Sequence, residues 1–192
     1  MSRPRRHSWL IALLTLVVGL GWAAGKWTPL AKDGVHDPDS PAIGVLQEPA
    51  EALSTLPPDT AGNQVLWMRA LDEGHIQPRT NILPETQVNL RLTDVLLKNT
   101  GEMPLVLFPH RQHTAWLDCS NCHDQLFERK AGATRINMFL ILQGEKCGLC
   151  HGAVSFPLTE CLRCHSVTRD SALARTFGKS LVLDRTPPGP TR

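Results

Sequence analysis

Three copies of the pattern Cys-x-x-Cys-His lie between residues 119 and 165. The copies consist of Cys119, Cys122 and His123; of Cys147, Cys150 and His151; and of Cys161, Cys164 and His165. Two thiols three positions apart lie on one side of a helical turn, so both can form thioethers with the vinyl groups of one porphyrin. The histidine that follows can bind the iron as an axial ligand. Each copy therefore predicts one covalently attached haem c, and the chain three.

Two other chemistries use paired cysteines. A structural zinc site would combine two Cys-x-x-Cys pairs and leave the third pair without a partner. Disulfide bonds would use the cysteines in pairs, but neither disulfides nor zinc requires a histidine directly after every pair. Since the three motifs use all six cysteines of the chain, haem attachment is favoured over both alternatives.

Three six-coordinate haem irons need six axial ligands, and the motif histidines supply three of them. His110 and His113 lie just upstream, in the stretch Phe-Pro-His-Arg-Gln-His. Residues three apart are neighbours on one face of a helix, so each of these side chains can meet a different iron. Pro109 suits the first position of such a helix. The alternative is that both are surface histidines near a helix start.

The first 25 residues predict export. Arg3, Arg5 and Arg6 precede an apolar run over residues 10–20, and small residues follow, which is the order of a secretory signal peptide. An uncleaved membrane anchor is the alternative, because the apolar stretch is nearly long enough to span a bilayer. We therefore expect a periplasmic protein, soluble after cleavage or tethered to the inner membrane by this segment.

The charge balance argues against a nucleic-acid partner. The formal net charge of the 192 residues is +2. Without the three N-terminal arginines, 17 basic residues face 18 acidic ones, and haem propionates would add negative charge. No basic binding face is expected from such a balance.

Residues 26–100 are predicted to form an N-terminal extension. Prolines and acidic residues indicate turns up to residue 60, with a short helix at residues 51–56. A second helix is predicted over residues 64–73, with Asn63 as its cap and Gly74 as its end.

Further along, residues 88–92 alternate apolar and polar side chains and predict a strand; residues 103–108 form a second apolar run. The pattern contains no catalytic constellation, and His36 and His75 are interpreted as exposed loop histidines. The extension is expected to wrap the haem-binding domain or to dock it to a partner.

The stretch from about residue 105 to residue 166 resembles the triheme c7-type domain of the class III multihaem cytochromes c. The resemblance is carried by Phe-Pro-His-x-x-His followed by three Cys-x-x-Cys-His motifs. It implies that His110 ligates the haem of the first motif and His113 that of the second. It also implies a compact domain with little regular secondary structure, placed here at residues 101–170 and expected to be mostly irregular and helical. The apolar runs described above add a short β hairpin or strand pair before it, and the haems are expected to form the core because so small a domain cannot build an ordinary one.

The third haem departs from the family pattern. In that pattern a distal histidine stands four residues before the second motif, and here this position is Gln143. Met138 is the nearest substitute, and a thioether sulfur is a known partner for histidine on haem iron. Asn137 is placed to cap a short helix that starts at Met138 and ends at Gly144. The resemblance points to Met138 as the sixth ligand; an open position, a distant histidine, or a core role for this methionine are the alternatives.

These inferences predict an electron carrier rather than an enzyme, which passes electrons between other redox proteins through three haems. A haem enzyme or small-ligand sensor with an open position on the third iron is one alternative. A structural subunit of a larger respiratory complex, docked through residues 26–100, is another. Residues 171–192 are predicted to be a flexible tail.

Overall fold

A computed structural model describes residues 27–61 and 64–186. The chain divides into two compact units, one ending at Leu56 and the other beginning at Pro57. The predicted export segment and the predicted cap Asn63 lie outside the described residues. Among the described helices, none is long and apolar enough to cross a membrane. The division at residue 57 differs from the predicted boundary at residue 100, because the strands described below join both sides of that boundary.

The first unit consists of short helical turns. Two 3-10 helices span Leu30–Lys32 and Pro41–Val45, and helix α1 spans Pro49–Ala52. The helix predicted at residues 51–56 begins earlier, because Pro49 occupies a first helical position and its fixed φ suits that place. The Glu48 carboxylate accepts a hydrogen bond of 3.1 Å from the backbone N–H of Leu30, which links the start of the first 3-10 helix to the start of α1.

Helix α2 spans Trp67–Asp72 in the second unit. It confirms the helix predicted over residues 64–73, although it starts three residues later. The start is delayed because the backbone N–H of Leu66 bonds to Pro57 O at 2.9 Å, which closes a loop before the helix. Gly74 ends the helix as predicted: its φ is 77°, a left-handed value that favours glycine.

Four antiparallel strands form one sheet in the order β3-β2-β1-β4. The strands are β1 Thr93–Leu97, β2 Leu105–Pro109, β3 His165–Val167 and β4 Val182–Asp184. Most of the apolar run at residues 103–108 lies in strand β2. The strand predicted at residues 88–92 is wrong, since that stretch is irregular and the pairing begins at Thr93. The buried start of β1 is polar: Asp94 forms an ion pair with Arg185, so alternation of apolar side chains does not mark it.

The prediction of a flexible tail from residue 171 is also wrong for residues 171–186. Helix α6 spans Ala172–Phe177, and the Ser171 side chain accepts a hydrogen bond from Ala174 N at its start. Strand β4 then pairs with β1. The remaining tail residues, 187–192, lie outside the described part of the chain.

A small apolar core holds this sheet and α6 together. Phe177 is 2% exposed and packs with Leu96, Leu105 and Val167. The fold class is thus confirmed in part: the chain is mostly irregular and helical with a small antiparallel sheet. This cluster, built from side chains of the sheet and of the C-terminal helix, was not predicted and is a core in addition to the one predicted for the haems.

The predicted site residues lie on short helical turns beside the sheet. These are helix α3 His110–Thr114, a 3-10 turn Cys119–Asn121, helix α4 Met138–Leu142, a 3-10 turn Lys146–Leu149 and helix α5 Cys161–Cys164. Asn137 caps α4 as predicted, since its side chain accepts a 3.0 Å hydrogen bond from Leu140 N. Gly144, with a φ of 83°, follows the end of that helix.

Candidate haem-binding site

Each Cys-x-x-Cys-His motif forms one helical turn. The backbone N–H of His123 donates to Cys119 O at 2.9 Å, and that of His151 to Cys147 O at 3.0 Å. The N–H of His165 donates to Cys161 O in the same way. The turn places both thiols of a motif on one side and the histidine directly beyond them, which is the arrangement that covalent haem attachment requires.

The thiols of the three motifs lie close to one another. All six cysteines are free thiols and all are exposed or half-buried. Burial, together with the neighbouring Cys164 and Cys122, raises the pKa of the Cys147 thiol to about 11. Cys147 therefore lies near both other motifs. Within the described residues, no three His, Cys, Asp or Glu side chains are grouped so that they could hold a metal ion by themselves.

The five histidines predicted as ligands share one hydrogen-bonding pattern. In each of them Nδ1 donates to a backbone carbonyl oxygen. The pairs are His110 to Thr93 O at 2.9 Å, His113 to Pro109 O at 3.0 Å, His123 to Phe127 O at 2.7 Å, His151 to Phe156 O at 3.3 Å and His165 to Pro104 O at 2.8 Å. Such a bond fixes the tautomer and the ring orientation and leaves Nε2 as the electron-pair donor.

The two histidines predicted to be loop residues behave differently. The Nδ1 atom of His36 lies 2.8 Å from a carboxylate oxygen of Asp33, and Nε2 of His75 lies 3.2 Å from one of Glu73. Both histidine side chains are more than a third exposed. The carbonyl pattern therefore separates the predicted iron ligands from the other described histidines.

The rings of His113 and His151 lie edge to face, at the separation that two imidazoles bound to one metal ion have. Their centroids are 6.3 Å apart, with an angle of 62° between the ring planes. A metal–imidazole bond is about 2 Å long and the nitrogen lies about 1 Å from its ring centre, so two imidazoles on one metal have centres about 6 Å apart. Burial lowers the pKa of both histidines, which favours the neutral form that binds iron.

His110 lies near His123 of the first motif. Burial lowers the pKa of His110, and the charge of His123 lowers it further. Phe108 holds the two upstream histidines in place: its ring stacks on His113 at 4.3 Å and meets His110 edge-on at 4.9 Å. The two distal candidates are thus brought toward the two motif histidines that the family resemblance pairs them with.

Helix α3, which carries both distal candidates, begins one residue later than predicted. Pro109 is its N-cap rather than its first helical residue, because Pro109 also ends strand β2. At the other end, the Thr114 hydroxyl donates to His110 O at 2.9 Å and accepts from Arg91 N at 3.0 Å. These bonds tie the helix to the start of the sheet and fix the spacing of its two histidines.

The third motif is held by the sheet. His165 begins strand β3, and its ring bonds to the carbonyl of Pro104, next to strand β2. Met138 is the first residue of α4, is 45% exposed and belongs to a helix that packs against the turn of the second motif. The two predicted ligands of the third haem are therefore held by different parts of the fold: His165 by the sheet and Met138 by helix α4.

The surfaces around the motifs fit an apolar prosthetic group. Phe139 is 70% exposed and Leu162 is 71% exposed, and Leu142 and Leu149 are also more than half exposed. These side chains lie within the second and third motifs or on α4, which packs against the second motif, so haems bound there would cover apolar surface that is otherwise exposed. Together with free thiols on helical turns and histidines that keep Nε2 available, they are the donor set and the environment that haem c needs.

Three features of the site were not predicted from the sequence. The histidine rings bond to backbone carbonyl oxygens, and every residue type has one, so the sequence does not predict which carbonyl is the acceptor. Gly148 packs closely against helix α4, and in the sequence only the glycine at that position indicates such a contact. The ion pair between Arg163 and Asp59, with oxygen–nitrogen distances of 2.6 and 2.8 Å, joins residues far apart in the chain.

Comparison with known proteins supports this account. The family model described as cytochrome c7 and related cytochrome c matches residues 106–169. A solved structure named as a c7-type three-heme cytochrome domain is 33% identical, with 42% of this chain and 99% of that chain covered and a TM-score of 0.36. A second solved structure, a C-terminal hexaheme fragment, is 35% identical, with 41% of this chain and 49% of that chain covered and a TM-score of 0.36. No curated protein matches significantly.

The motifs and the sequence matches together define a multihaem c-type cytochrome. The chain belongs to the cytochrome c7 family, and its cofactor is haem c, with three haems for three motifs. This assignment rests on the family model and on the sequence identity, because a TM-score of 0.36 is too low to compare the folds. Membership of this family implies electron transfer.

Proposed function

We propose that the protein is a periplasmic electron carrier that passes single electrons between other redox proteins through three haems. The carbonyl-bonded Nδ1 atoms of the five predicted histidine ligands are the observation that carries the proposal. This pattern leaves Nε2 of each imidazole available to bind iron. Among the described residues, no side chain is assigned a role in a reaction on a substrate. Haem iron supplies one-electron oxidation and reduction when it is bound.

The proposed ligand set assigns two axial ligands to each iron. The first haem takes Cys119 and Cys122 as thioethers with His123 and His110 as axial ligands; the second takes Cys147 and Cys150 with His151 and His113; the third takes Cys161 and Cys164 with His165 and Met138. The 6.3 Å separation of the His113 and His151 rings supports the second assignment. The effect of His123 on the pKa of His110 supports the first.

The protein's own groups have three tasks in this function. Carbonyl oxygens orient the imidazoles, burial keeps His110, His113 and His151 neutral, and apolar side chains such as Phe139 and Leu162 cover the haem faces. Since α3 carries the distal ligands of two haems, it fixes those haems close together, and short distances between haems favour electron transfer. The N-terminal segment would deliver the chain to the periplasm and, if uncleaved, hold it at the inner membrane.

Carbon monoxide distinguishes this function from that of a haem enzyme or sensor. If each iron has two protein ligands, the reduced form of the exported protein is expected to bind no carbon monoxide. All three haems are also expected to go through repeated cycles of full reduction and reoxidation. Visible spectroscopy under carbon monoxide, with an intact mass that counts the attached haems, checks both points. Stoichiometric carbon monoxide binding by one haem would contradict the carrier and favour an open site on the third iron.

The Met138→Leu variant tests the ligand of the third haem. Because thioether ligation raises the reduction potential relative to two histidines, the third haem is expected to have the highest potential in the native protein. Loss of the sulfur should convert one haem of three to a high-spin, five-coordinate iron that binds carbon monoxide. A Met103→Leu variant is the matched control, since Met103 is also exposed but precedes the site. Identical spectra and titrations for native and Met138→Leu proteins would remove the assignment.

A further inference from the structure

Asp59 lies in a closed loop at the start of the second unit. The backbone N–H of Asp59 donates to Gln64 O at 2.8 Å, and Pro58 pairs with Val65 as an isolated β-bridge. Thr60 N donates to the Asp59 carboxylate at 2.7 Å. The carboxylate is thereby held in one place by its own loop, and its side chain is only 9% exposed.

The partner of this carboxylate is Arg163, which lies between the two cysteines of the third motif. Its Nη1 and Nη2 atoms donate to the two carboxylate oxygens of Asp59 at 2.8 and 2.6 Å. This is the bidentate geometry in which guanidinium and carboxylate bind most strongly. The hydrogen bonds from Arg163 lower the pKa of Asp59, so the carboxylate is charged at neutral pH.

The guanidinium group also lies beside the second haem site. Its carbon is 5.4 Å from the centroid of the Phe156 ring. That ring is 4.3 Å from the ring of His151, whose Nδ1 bonds to Phe156 O. The positive charge of Arg163 therefore lies within the third motif. The Phe156 ring lies between it and His151, the histidine of the second motif.

Asp59 belongs to a segment that the family model does not match. We call residues 57–61 and 64–80 the N-terminal arm. The arm makes two further ion pairs with haem-binding elements: Asp72 with Arg111 at 2.7 Å, between the two distal histidines, and Arg79 with Asp118 at 2.6 Å, just before the first motif. The arm is therefore attached at three points beside predicted haem ligands, and its contact with Arg163 has the least exposed carboxylate of the three.

We infer that Asp59 is a positioning residue that neutralises Arg163 and so lowers the reduction potential of the third haem. A cation close to haem iron favours the ferrous state, which carries one positive charge fewer than the ferric state. Asp59 opposes that effect because its charge is opposite, fixed and poorly screened by solvent. The second carboxylate near Arg163, that of Glu160, is farther away at 3.5 Å and is 39% exposed, so its charge acts more weakly. The inference rests on the proposed electron-carrier function. It means that the N-terminal arm, which lies outside the family domain, helps to set the reduction potential of one of the three haems.

The Asp59→Asn variant of the full-length, haem-loaded protein tests this role. Asparagine has the same shape and can still accept a hydrogen bond from Arg163, but it carries no charge. We expect the ferric-to-ferrous ratio of the third haem at a fixed potential to fall by about tenfold, which is a rise of about 59 mV for one electron. Potentiometric titration followed by optical and EPR spectroscopy measures it for each haem.

Two more variants separate charge from structure. Arg163→Gln should move the same potential in the opposite direction, because it leaves the Asp59 carboxylate without its partner. The Asp59→Asn/Arg163→Gln double variant should return close to the native potential. Glu73→Gln is the matched control: it removes the same charge from the arm, but the partners of Glu73 are Arg69 and His75, which lie close to it in the chain and in no haem motif. We expect no shift.

The outcomes are distinct from those that test the proposed function. Haem count and reversible reduction of the native protein decide whether it is an electron carrier. An Asp59→Asn potential equal to that of Glu73→Gln, with three haems still attached, would overturn the role of Asp59. If Asp59→Asn loses haem, Arg163→Gln decides instead, and a potential that is unchanged or raised in that variant overturns the inference.

Discussion

Replacing Gly148 by alanine is expected to disrupt the second haem-binding motif and the helix that carries Met138. A Cβ atom at Gly148 would lie 1.9 Å from the carbonyl oxygen of Ile141 and 2.9 Å from its carbonyl carbon. Both atoms belong to the backbone of α4, so no side-chain rotation relieves the contact. Forcing extra volume into such a contact costs about 1–3 kcal/mol, occasionally more.

The second haem-binding motif and helix α4 are in direct contact. The turn Lys146–Leu149 packs directly against α4, and Met138 is the first residue of that helix. If α4 moves away from the motif, the proposed sulfur ligand moves with it. We therefore expect Gly148→Ala to lower the midpoint of thermal unfolding, to reduce haem attachment at Cys147 and Cys150, and to change the spectrum of the third haem.

Gly44→Ala is the control for this substitution. Nothing lies within 4 Å of the Cβ position at Gly44, and that residue belongs to the first unit, which carries none of the motifs. Circular dichroism, haem content by mass spectrometry and the visible spectrum of the oxidised protein measure the effect. Native stability and an unchanged spectrum for Gly148→Ala would show that the motif does not pack against α4 as described.

Replacing His113 by alanine is expected to open the second haem iron. The His113 ring is 6.3 Å from the ring of His151, and its Nδ1 bond to Pro109 O leaves Nε2 for the iron. Without this ligand the second haem should become high-spin and bind carbon monoxide. Its reduction potential should rise by on the order of 100 mV, within the ~0.8 V range that axial ligands span.

A second substitution at the same position distinguishes ligation from packing. His113→Met keeps a sixth ligand, so the iron should stay low-spin while its potential rises, because thioether is the weaker donor to ferric iron. His75→Ala is the control, since Nε2 of His75 faces Glu73 rather than a haem motif. EPR spectra of the oxidised variants, with carbon monoxide difference spectra of the reduced ones, separate the cases. A low-spin second haem in His113→Ala would show that another group is its ligand.

The motifs and short helices could be predicted because their signals are local. Cys-x-x-Cys-His fixes one helical turn by its own spacing, and the Asn137 cap and Gly144 end predicted helix α4 correctly. The late start of helix α2 could not be seen, because a bond between Leu66 and Pro57 sets it. The local signals thus predicted turns and short helices, while the groups that hold these elements in place lie elsewhere in the chain.

The C-terminal part of the fold depends on long-range packing, which composition hides. The stretch after residue 178 is rich in polar residues and prolines, yet β4 pairs with β1 and Phe177 fills the core beside Leu96. The start of β1 is stabilised by the ion pair of Asp94 with Arg185. A pattern of apolar residues does not reveal such a strand, and a polar segment looks flexible when its partner is about ninety residues away in the sequence.

A potentiometric titration of the exported full-length protein, followed by low-temperature EPR, tests the central claim most directly. The account predicts three one-electron haems, all low-spin when oxidised, of which two have bis-histidine signals and the third has the signal of a histidine–methionine pair and the highest potential. A high-spin ferric signal from one haem of three, or fewer than three titrating haems, would contradict it.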